Sequence, residues 1–185
     1  MKTNLIILAA PSGAGKSSFI EKVCAETPVL FDTITYTTRA MRKGESQGVP
    51  YFFVSEDEFN QKKSENFFVE SARVHNHLYG TSRVQIEDAW KQGRCVIMDV
   101  DIQGAKTFKE LYPQSRSIFI LPPSIEELRT RIVKRDGRIP ADIEIRMETA
   151  KKEMKEAPGF DYRIVNDQFE LSYAEFKKIV DKLLA

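Results

Sequence analysis

Residues 10–17, which read Ala-Pro-Ser-Gly-Ala-Gly-Lys-Ser, constrain the fold more than any other part of the chain. They follow an apolar stretch at 5–10 and lead into a helical pattern of apolar residues at 19, 20 and 23. A strand, a glycine-rich loop and a helix in this order form the phosphate-loop motif, because glycines let backbone N–H groups converge on an anion. The segment therefore predicts a phosphate-binding turn within an α/β fold.

Two side chains of this loop carry its chemistry. Lys16 is placed to reach the β- and γ-phosphates of a nucleotide, and the Ser17 hydroxyl is placed to hold Mg²⁺. The first position of the motif is usually glycine and here is Ala10, which fits if its φ stays negative. The alternative is a chance glycine-serine turn before a helix, and the flanking strand and helix weigh against it.

Composition narrows the class of protein. With 185 residues, of which 42% are apolar and 30% charged, the chain is expected to fold as one domain around its own core. A net charge of +1 fits poorly with duplex nucleic acid as the main partner. The apolar stretch at 5–10 is too short for a membrane span, and two cysteines are too few for a disulfide framework. We therefore expect a cytoplasmic protein with no nucleic-acid or membrane partner.

Five short apolar runs indicate strands, at residues 5–10, 31–36, 95–100, 117–121 and 162–165. Most are continuous rather than alternating, as in strands buried on both faces of a parallel sheet. Helical stretches separate most of them, and a Ser followed three residues later by Glu or Gln predicts helix N-termini at Ser55, Ser82, Ser124 and Ser172. The pattern predicts an α/β fold with a central parallel sheet flanked by helices.

Two segments interrupt this rhythm. Residues 39–79 combine a Gly/Pro-containing loop, aromatic strand-like pieces and one short helix, which indicates an inserted lobe. Residues 136–140 contain Gly137 and lie between two helical patterns, which indicates a flap. The charged run at 151–156 is interpreted as an exposed helical face.

Charged residues next to the phosphate loop suggest further parts of a site. Asp99 ends the apolar run that begins at Cys95, where a carboxylate fits the Mg²⁺ side of the site; capping of the next helix is a compatible alternative. Arg39 and Arg42 lie three apart in a loop and suit bidentate phosphate contacts, or form a solvated basic loop. Residues 129–138 carry five positive side chains against one negative, a local charge of +4 that fits a bound polyphosphate or a solvated helix end.

The larger pattern resembles the guanylate kinases. Besides the phosphate loop, segments in family order are Thr-Thr-Arg-x-x-Arg-x-Gly-Glu at 37–45, Tyr51, Phe-Val-Glu at 68–70, Tyr-Gly-Thr at 79–81, Asp-Val-Asp-Ile-Gln-Gly at 99–104, Pro-Pro-Ser at 122–124 and Ile-Val-Asn-Asp at 164–167. The resemblance covers residues 5 to about 184. It implies a P-loop kinase fold over 1–185, with a core at 1–36, 83–134 and 143–185, a mixed β/α lobe for the nucleoside monophosphate at about 37–82 and a lid at about 135–142.

The resemblance also assigns site residues. The ATP-binding residues it implies are Pro11, Ser12, Gly13, Ala14, Gly15, Lys16, Ser17, Ser18, Asn166 and Asp167. The GMP-binding residues it implies are Thr35, Arg39, Arg42, Tyr51, Glu70, Tyr79, Thr81 and Asp101. The residues it implies for phosphoryl transfer are Lys16, Arg39, Arg131, Arg135 and Arg146, and those for Mg²⁺ are Ser17 and Asp99.

The acids Glu70 and Asp101 have a physical reason to select guanine. Guanine presents N–H donors at N1 and N2, and carboxylates accept from them, whereas adenine presents an acceptor at N1. Taken alone, Glu70 is better explained as a surface strand carboxylate and Asp101 as a helix cap. The resemblance favours the base-binding reading of both.

The reaction implied is the transfer of the γ-phosphoryl group from ATP to GMP, with Mg²⁺ as cofactor, dGMP as a further acceptor, and a monomer or homodimer as the working form. No catalytic base is expected, because the phosphate of GMP is already an anionic nucleophile. One alternative is a catalytically inactive interaction module on the same fold, although Lys16, Ser17 and Asp99 favour catalysis. Another is a kinase for a different nucleoside monophosphate or small metabolite.

Overall fold

The computed structural model describes residues 4–74 and 76–185. Within these ranges the strands are β1 (Leu5–Ala9), β2 (Leu30–Asp32), β3 (Tyr36–Thr37), β4 (Phe52–Phe53), β5 (Phe68–Val74), β6 (His77–Ser82), β7 (Cys95–Asp99), β8 (Arg116–Leu121) and β9 (Tyr162–Val165). The helices are α1 (Lys16–Glu26), α2 (Glu56–Ser64), α3 (Arg83–Lys91), α4 (Ile102–Leu111), α5 (Ile125–Asp136), α6 (Ile143–Lys155) and α7 (Phe169–Leu184). A short 3₁₀ turn at Ala157–Gly159 precedes β9.

The main sheet has the order β2-β7-β1-β8-β9, and its strands are all parallel. Every residue of the central strand β1 is fully buried, which explains why its sequence is continuously apolar. Alternate side chains of β1 enter different cores: Ile6 and Leu8 join one cluster, and Leu5 and Ile7 the other. This architecture confirms the predicted α/β fold with helices over both faces of a parallel sheet.

The two cores lie on opposite faces of the main sheet. One contains Phe19 of α1, Leu128 of α5 and Phe176 of α7, with the Phe19 and Phe176 rings in edge contact at 5.2 Å. The other contains Ile86 of α3 and Phe108 of α4. At roughly 1.5–3 kcal/mol for each large side chain removed from water, these clusters anchor the strand ends on which the site is built.

A second, mixed sheet has the order β4-β3-β6-β5. Aromatic rings pack it together, with Phe59 of α2 stacked on Phe68 at 4.5 Å and Tyr36 in contact with Phe52 at 4.8 Å. The backbone passes close beneath these rings at Gly80, where a Cβ would lie 2.9 Å from the ring of Phe68. Only glycine fits there without displacing the ring.

Residues 31–36 do not form one strand, as the apolar run predicted. The structure divides them between the two sheets, because β2 ends at Asp32 and β3 begins at Tyr36. Between these strands the Gln85 side chain accepts from Ile34 N at 2.9 Å and donates to Ile34 O at 2.9 Å. A side-chain amide thus replaces a strand neighbour and lets the chain cross from one sheet to the other.

The four predicted helix caps have different outcomes. Ser55 and Ser124 each accept from the backbone N–H three residues on, at 3.1 Å, as predicted. Ser82 is the N-cap residue of α3 but makes no side-chain cap bond, and the Gln85 side chain, which would complete a capping box, bonds to Ile34 instead. The prediction at Ser172 was wrong, because α7 begins at Phe169, whose ring packs on Phe19 at 5.2 Å.

None of the helices in the described ranges combines the length and apolarity needed to cross a bilayer.

Candidate active site

The turn between β1 and α1 depends on two glycines. Gly13 and Gly15 have φ of 94° and 98°, values that residues other than glycine rarely adopt. A Cβ on Gly13 would lie 2.7 Å from Ile132, and one on Gly15 would lie 2.8 Å from Asn166 Nδ2. The close packing of α5 and of the 166 segment therefore holds this loop at the N-terminus of α1.

Ala10 meets the requirement that alanine at the first position of the motif keep a negative φ. Among the residues that the structure describes, Asn66 alone has a positive φ without being glycine, so Ala10 fits without strain. Its carbonyl oxygen accepts from Lys16 Nζ at 2.8 Å. In this structure the lysine therefore folds back over its own loop, and a bound phosphate would compete with that carbonyl for the ammonium group.

The loop opens into a cavity of about 660 Å³, which we call the central cavity. It lies at the carboxyl ends of β1 and β7, the edge where parallel α/β sheets bind ligands. The predicted site residues on its walls are Pro11, Ser12, Gly13, Gly15, Lys16, Ser17, Ser18, Thr35, Tyr51, Glu70, Tyr79, Thr81, Asp99, Asp101, Arg135 and Arg146. The structure thus brings phosphate-loop residues, residues of the second sheet and two arginines near the α5–α6 connection to one space.

Glu70 and Asp101 meet on the wall of the central cavity above α4. A Cβ at Gly104 would lie 3.2 Å from Asp101 Oδ1 and 3.3 Å from the carboxyl carbon of Glu70, so glycine leaves room for both acids. Burial, followed by the charge of Asp101, raises the pKa of Glu70 from 4.5 to about 7. Asp101 also caps α4, accepting from Gly104 N at 2.6 Å, so both sequence interpretations of this residue are compatible with its position.

Ser17 and Asp99 line the central cavity together. Asp99 ends β7 opposite Leu8 of β1, directly beside the phosphate loop. Hydroxyl and carboxylate oxygens such as those of Ser17 and Asp99 suit Mg²⁺. Among the described residues, no group of three or more His, Cys, Asp or Glu side chains is placed to hold a metal ion.

Arg39 and Arg42 are held by Glu45. Arg39 Nη2 donates to Glu45 Oε1 at 2.8 Å, and the Arg42 backbone N–H donates to Glu45 Oε2 at 2.7 Å. The Arg39 guanidinium lies 5.4 Å from the ring centres of Tyr51 and Phe53. Neither arginine lies on the wall of the central cavity, although Tyr51 beneath Arg39 does.

A second space of about 910 Å³, the lid cavity, separates this loop from the connection between α5 and α6. Its charged wall residues are Arg42, Lys43, Glu45, Arg135, Asp136, Arg138, Asp142 and Arg146. Arg135 and Arg146 also line the central cavity, so the two spaces meet at these side chains. The basic segment predicted from residues 129–138 therefore faces the Arg39–Arg42 loop across a gap.

Arg131, Asn166 and Asp167 lie away from the wall of the central cavity. Arg131 donates from Nε to Glu127 at 2.8 Å and from Nη1 to the Asn166 carbonyl at 2.9 Å. Asn166 is buried and donates from Nδ2 to the Ala14 carbonyl at 2.9 Å. Ala14 is itself fully buried. In this conformation Asn166 supports the phosphate loop from behind, and Arg131 holds the backbone of the 166 segment.

Comparison with known proteins decides the family, because the family described as guanylate kinase matches residues 2–183. The chain belongs to the guanylate kinase family. Its relatives include the guanylate kinase of Bdellovibrio bacteriovorus, 58% identical over 185 residues and 100% of both chains. That of Photorhabdus laumondii is 46% identical over 179 residues, 95% of this chain and 86% of the relative. The crystal structure of guanylate kinase from Anaplasma phagocytophilum matches with a TM-score of 0.79 at 31% identity, over 97% of this chain and 85% of that one.

Membership of the guanylate kinase family confirms the resemblance read from the sequence, and the structural match confirms the P-loop kinase fold. Among the wall residues of the central cavity that the sequence analysis did not assign to the site are Thr149 and Glu153, which share one face of α6 with Arg146. The interpretation of 151–156 as an exposed face was wrong for Glu153, which is half-buried. Burial raises its pKa, and nearby Lys16 opposes the rise. The spacing of residues 146, 149 and 153, which places them on one helix face with Arg146, was the sequence signal that could have identified Thr149 and Glu153.

Proposed function

We propose that this protein transfers the γ-phosphoryl group of ATP to GMP, with Mg²⁺, to give ADP and GDP, and that dGMP is also an acceptor. The observation that carries the proposal is the shared cavity, with the phosphate loop on one wall and the Glu70–Asp101 pair on another. A nucleoside monophosphate bound at the acids can direct its phosphate toward Lys16. Since ATP and GMP are intracellular metabolites, the proposed place of action is the cytoplasm.

The acids provide the proposed selectivity for guanine. Glu70 and Asp101 accept from the N1 and N2 donors of the base, and the hydroxyls of Thr35 and Thr81 add polar contacts. Adenine would place its N1 lone pair against a carboxylate and leave both acids without donors. Each such unmade bond costs roughly 1–3 kcal/mol in a buried site.

The cations provide the proposed phosphate contacts. Arg39, Arg42, Tyr51 and Tyr79 take the phosphate of GMP, while Lys16 and the loop amides take the phosphates of ATP. Arg131, Arg135 and Arg146 neutralise the transferred group in the closed state, and Asn166 and Asp167 lie toward the adenine of ATP. The lobe at about 37–82 and the lid at about 135–142 close over the substrates, which brings these arginines inward and excludes water.

Ser17 and Asp99 are the residues proposed to hold Mg²⁺, the latter directly or through water. When bound, the ion neutralises charge on the phosphate oxygens and aligns them. The remaining requirement is position, because the protein has only to bring an anionic oxygen of GMP in line with the γ-phosphorus. No side chain has to remove a proton from the acceptor.

The experiment is a coupled assay of ADP release with GMP, dGMP, AMP, UMP and CMP, each with Mg-ATP. We expect turnover with GMP and dGMP and almost none with AMP, UMP or CMP. The Lys16→Met variant should lose on the order of 10³-fold in turnover, with Lys91→Met, an exposed lysine on α3, as its control. No turnover above background with any acceptor would instead favour the interaction module. A preference for AMP would show that the base pocket is assigned wrongly.

A further inference from the structure

The carboxylate of Asp136 occupies the cationic junction between the two cavities. Arg135 donates to it from Nε at 2.8 Å and from Nη2 at 3.4 Å, and Arg146 donates from Nη1 at 3.4 Å. Burial tends to raise the pKa of Asp136, but the hydrogen bond and charge of Arg135, followed by the charges of Arg42 and Arg146, lower it overall. Arg42 of the 39–45 loop lies on the wall of the same lid cavity. One carboxylate therefore bonds to arginines of both α5 and α6 in a cavity that Arg42 also lines.

In this arrangement the guanidinium groups of Arg135 and Arg146 donate to carboxylates of the protein itself. Arg135 uses the Nε and Nη2 edge of its guanidinium on Asp136, and that edge is suited to gripping a phosphate with two hydrogen bonds. Arg146 divides its donors between Asp136 and Asp142. A substrate phosphate that binds to the same donors has to replace Asp136, because one N–H group makes one strong hydrogen bond at a time.

The position of Asp136 allows such an exchange. It is the last residue of α5, and Gly137 follows it in the left-handed conformation with φ of 67° and open space around it. The Asp136 side chain is 19% exposed, so it lies at the cavity wall rather than in a core. Its displacement would break ion pairs without disturbing apolar packing.

We propose that Asp136 is a positioning residue that stands in for a substrate phosphate. It holds Arg135 and Arg146 together before substrates bind, gives way to a phosphate group on closure, and so sets how tightly the resting protein binds phosphate compounds. The inference rests on the proposed function only for the identity of the phosphate compounds, since the ion pairs are present without them.

The test replaces the carboxylate by an isosteric amide, Asp136→Asn. The control is Glu148→Gln, which makes the same change of net charge on α6 at a side chain paired with Lys151 on the surface. Binding of inorganic pyrophosphate, measured by titration calorimetry without turnover, should tighten threefold to tenfold in the variant and less than twofold in the control. In steady-state assays at saturating GMP, KM for Mg-ATP, whose transferred group Arg135 and Arg146 are proposed to neutralise, should fall at least threefold and more than kcat does, so that kcat/KM rises.

An equal or weaker affinity for pyrophosphate in Asp136→Asn than in the control overturns the proposal, as does an unchanged or lower kcat/KM. If that variant unfolds during purification, Asp136→Ser is measured in the same way and judged by the same criteria. The proposed function fails separately: wild-type protein without GMP turnover refutes it, while the pyrophosphate titration still decides the role of Asp136.

Discussion

Glu70, on β5 of the second sheet, and Asp101, at the start of α4 beneath the main sheet, face each other across Gly104. The carboxyl carbon of Glu70 and Oδ1 of Asp101 are 3.3 and 3.2 Å from the point where a Gly104 Cβ would be. Burial and this neighbouring charge together raise the pKa of Glu70 to about 7. Repulsion between two neighbouring, half-buried carboxylates is reduced when a ligand supplies hydrogen-bond donors to both.

The first prediction concerns the base. Glu70→Gln replaces an acceptor oxygen by an NH₂ group that faces the N–H donors of guanine. We expect KM for GMP to rise on the order of 10- to 100-fold, equivalent to roughly 1–3 kcal/mol for one lost buried hydrogen bond, while KM for ATP changes less than twofold. Steady-state kinetics with each substrate varied in turn would measure this, with Glu58→Gln on α2 as the control. An equal rise of both KM values would place Glu70 outside the base pocket.

The second prediction concerns stability against pH. The pKa of Glu70 is raised from 4.5 to about 7 on folding, so its contribution to stability is fully present below 4.5 and is lost as pH rises through about 7. The free energy of unfolding should therefore fall by up to about 3 kcal/mol over that interval from this group. Urea titrations at pH 5, 6, 7 and 8 give the free energy of unfolding at each pH. The slope of this free energy against pH should be smaller for Glu70→Gln than for the wild type. Equal slopes in the two proteins would contradict the raised pKa.

The third prediction concerns the phosphate loop. Gly15→Ala places a Cβ at a φ of 98° and 2.8 Å from Asn166 Nδ2, whereas Gly137→Ala meets nothing within 4 Å at a φ of 67°. Both substitutions force alanine into the left-handed region at a cost of about 1–2 kcal/mol. We expect Gly15→Ala to lose a further ~1–2 kcal/mol in urea unfolding, because of the contact with Asn166.

A double-mutant cycle isolates that contact. Asn166→Ala should remove much of the additional loss when it is combined with Gly15→Ala. Fully additive effects of the two substitutions would mean that the loop relaxes away from the Asn166 side chain.

The fourth prediction separates two arginines of α5. Arg131 bonds to Glu127 and to the backbone carbonyls of Asn166 and Asp167, whereas Arg135 bonds to its neighbour Asp136. Arg131→Met should lower the free energy of unfolding by about 1–2 kcal/mol, and Arg135→Met by less than about 0.5 kcal/mol. Both should reduce turnover if both bind phosphates on closure. Equal losses of stability would show that the Arg131 bonds contribute little to the fold.

Local patterns were sufficient for much of the fold. The predicted strand at 162–165 has the observed bounds of β9, and the caps at Ser55 and Ser124 form the predicted bonds. These features depend on residues within a few positions of each other, so their physics is visible along the chain. Predictions failed where a distant partner intervened. The predicted strand at 31–36 is divided where Gln85 bonds to Ile34, and the predicted cap at Ser172 lies within α7, whose first residue, Phe169, packs on Phe19.

The phosphate loop, the apolar strands and the family could be read from the order of residues alone, because glycine conformation, strand burial and helix capping act over short stretches. Tertiary structure alone decided that Asp136 holds Arg146, that Arg131 turns to the 166 segment, and that Glu153 enters the central cavity. Which carboxylate meets which cation depends on how α5, α6 and the 39–45 loop pack. Electrostatic attraction depends on distance in space and not on separation along the chain, so such pairs cannot be identified from the sequence.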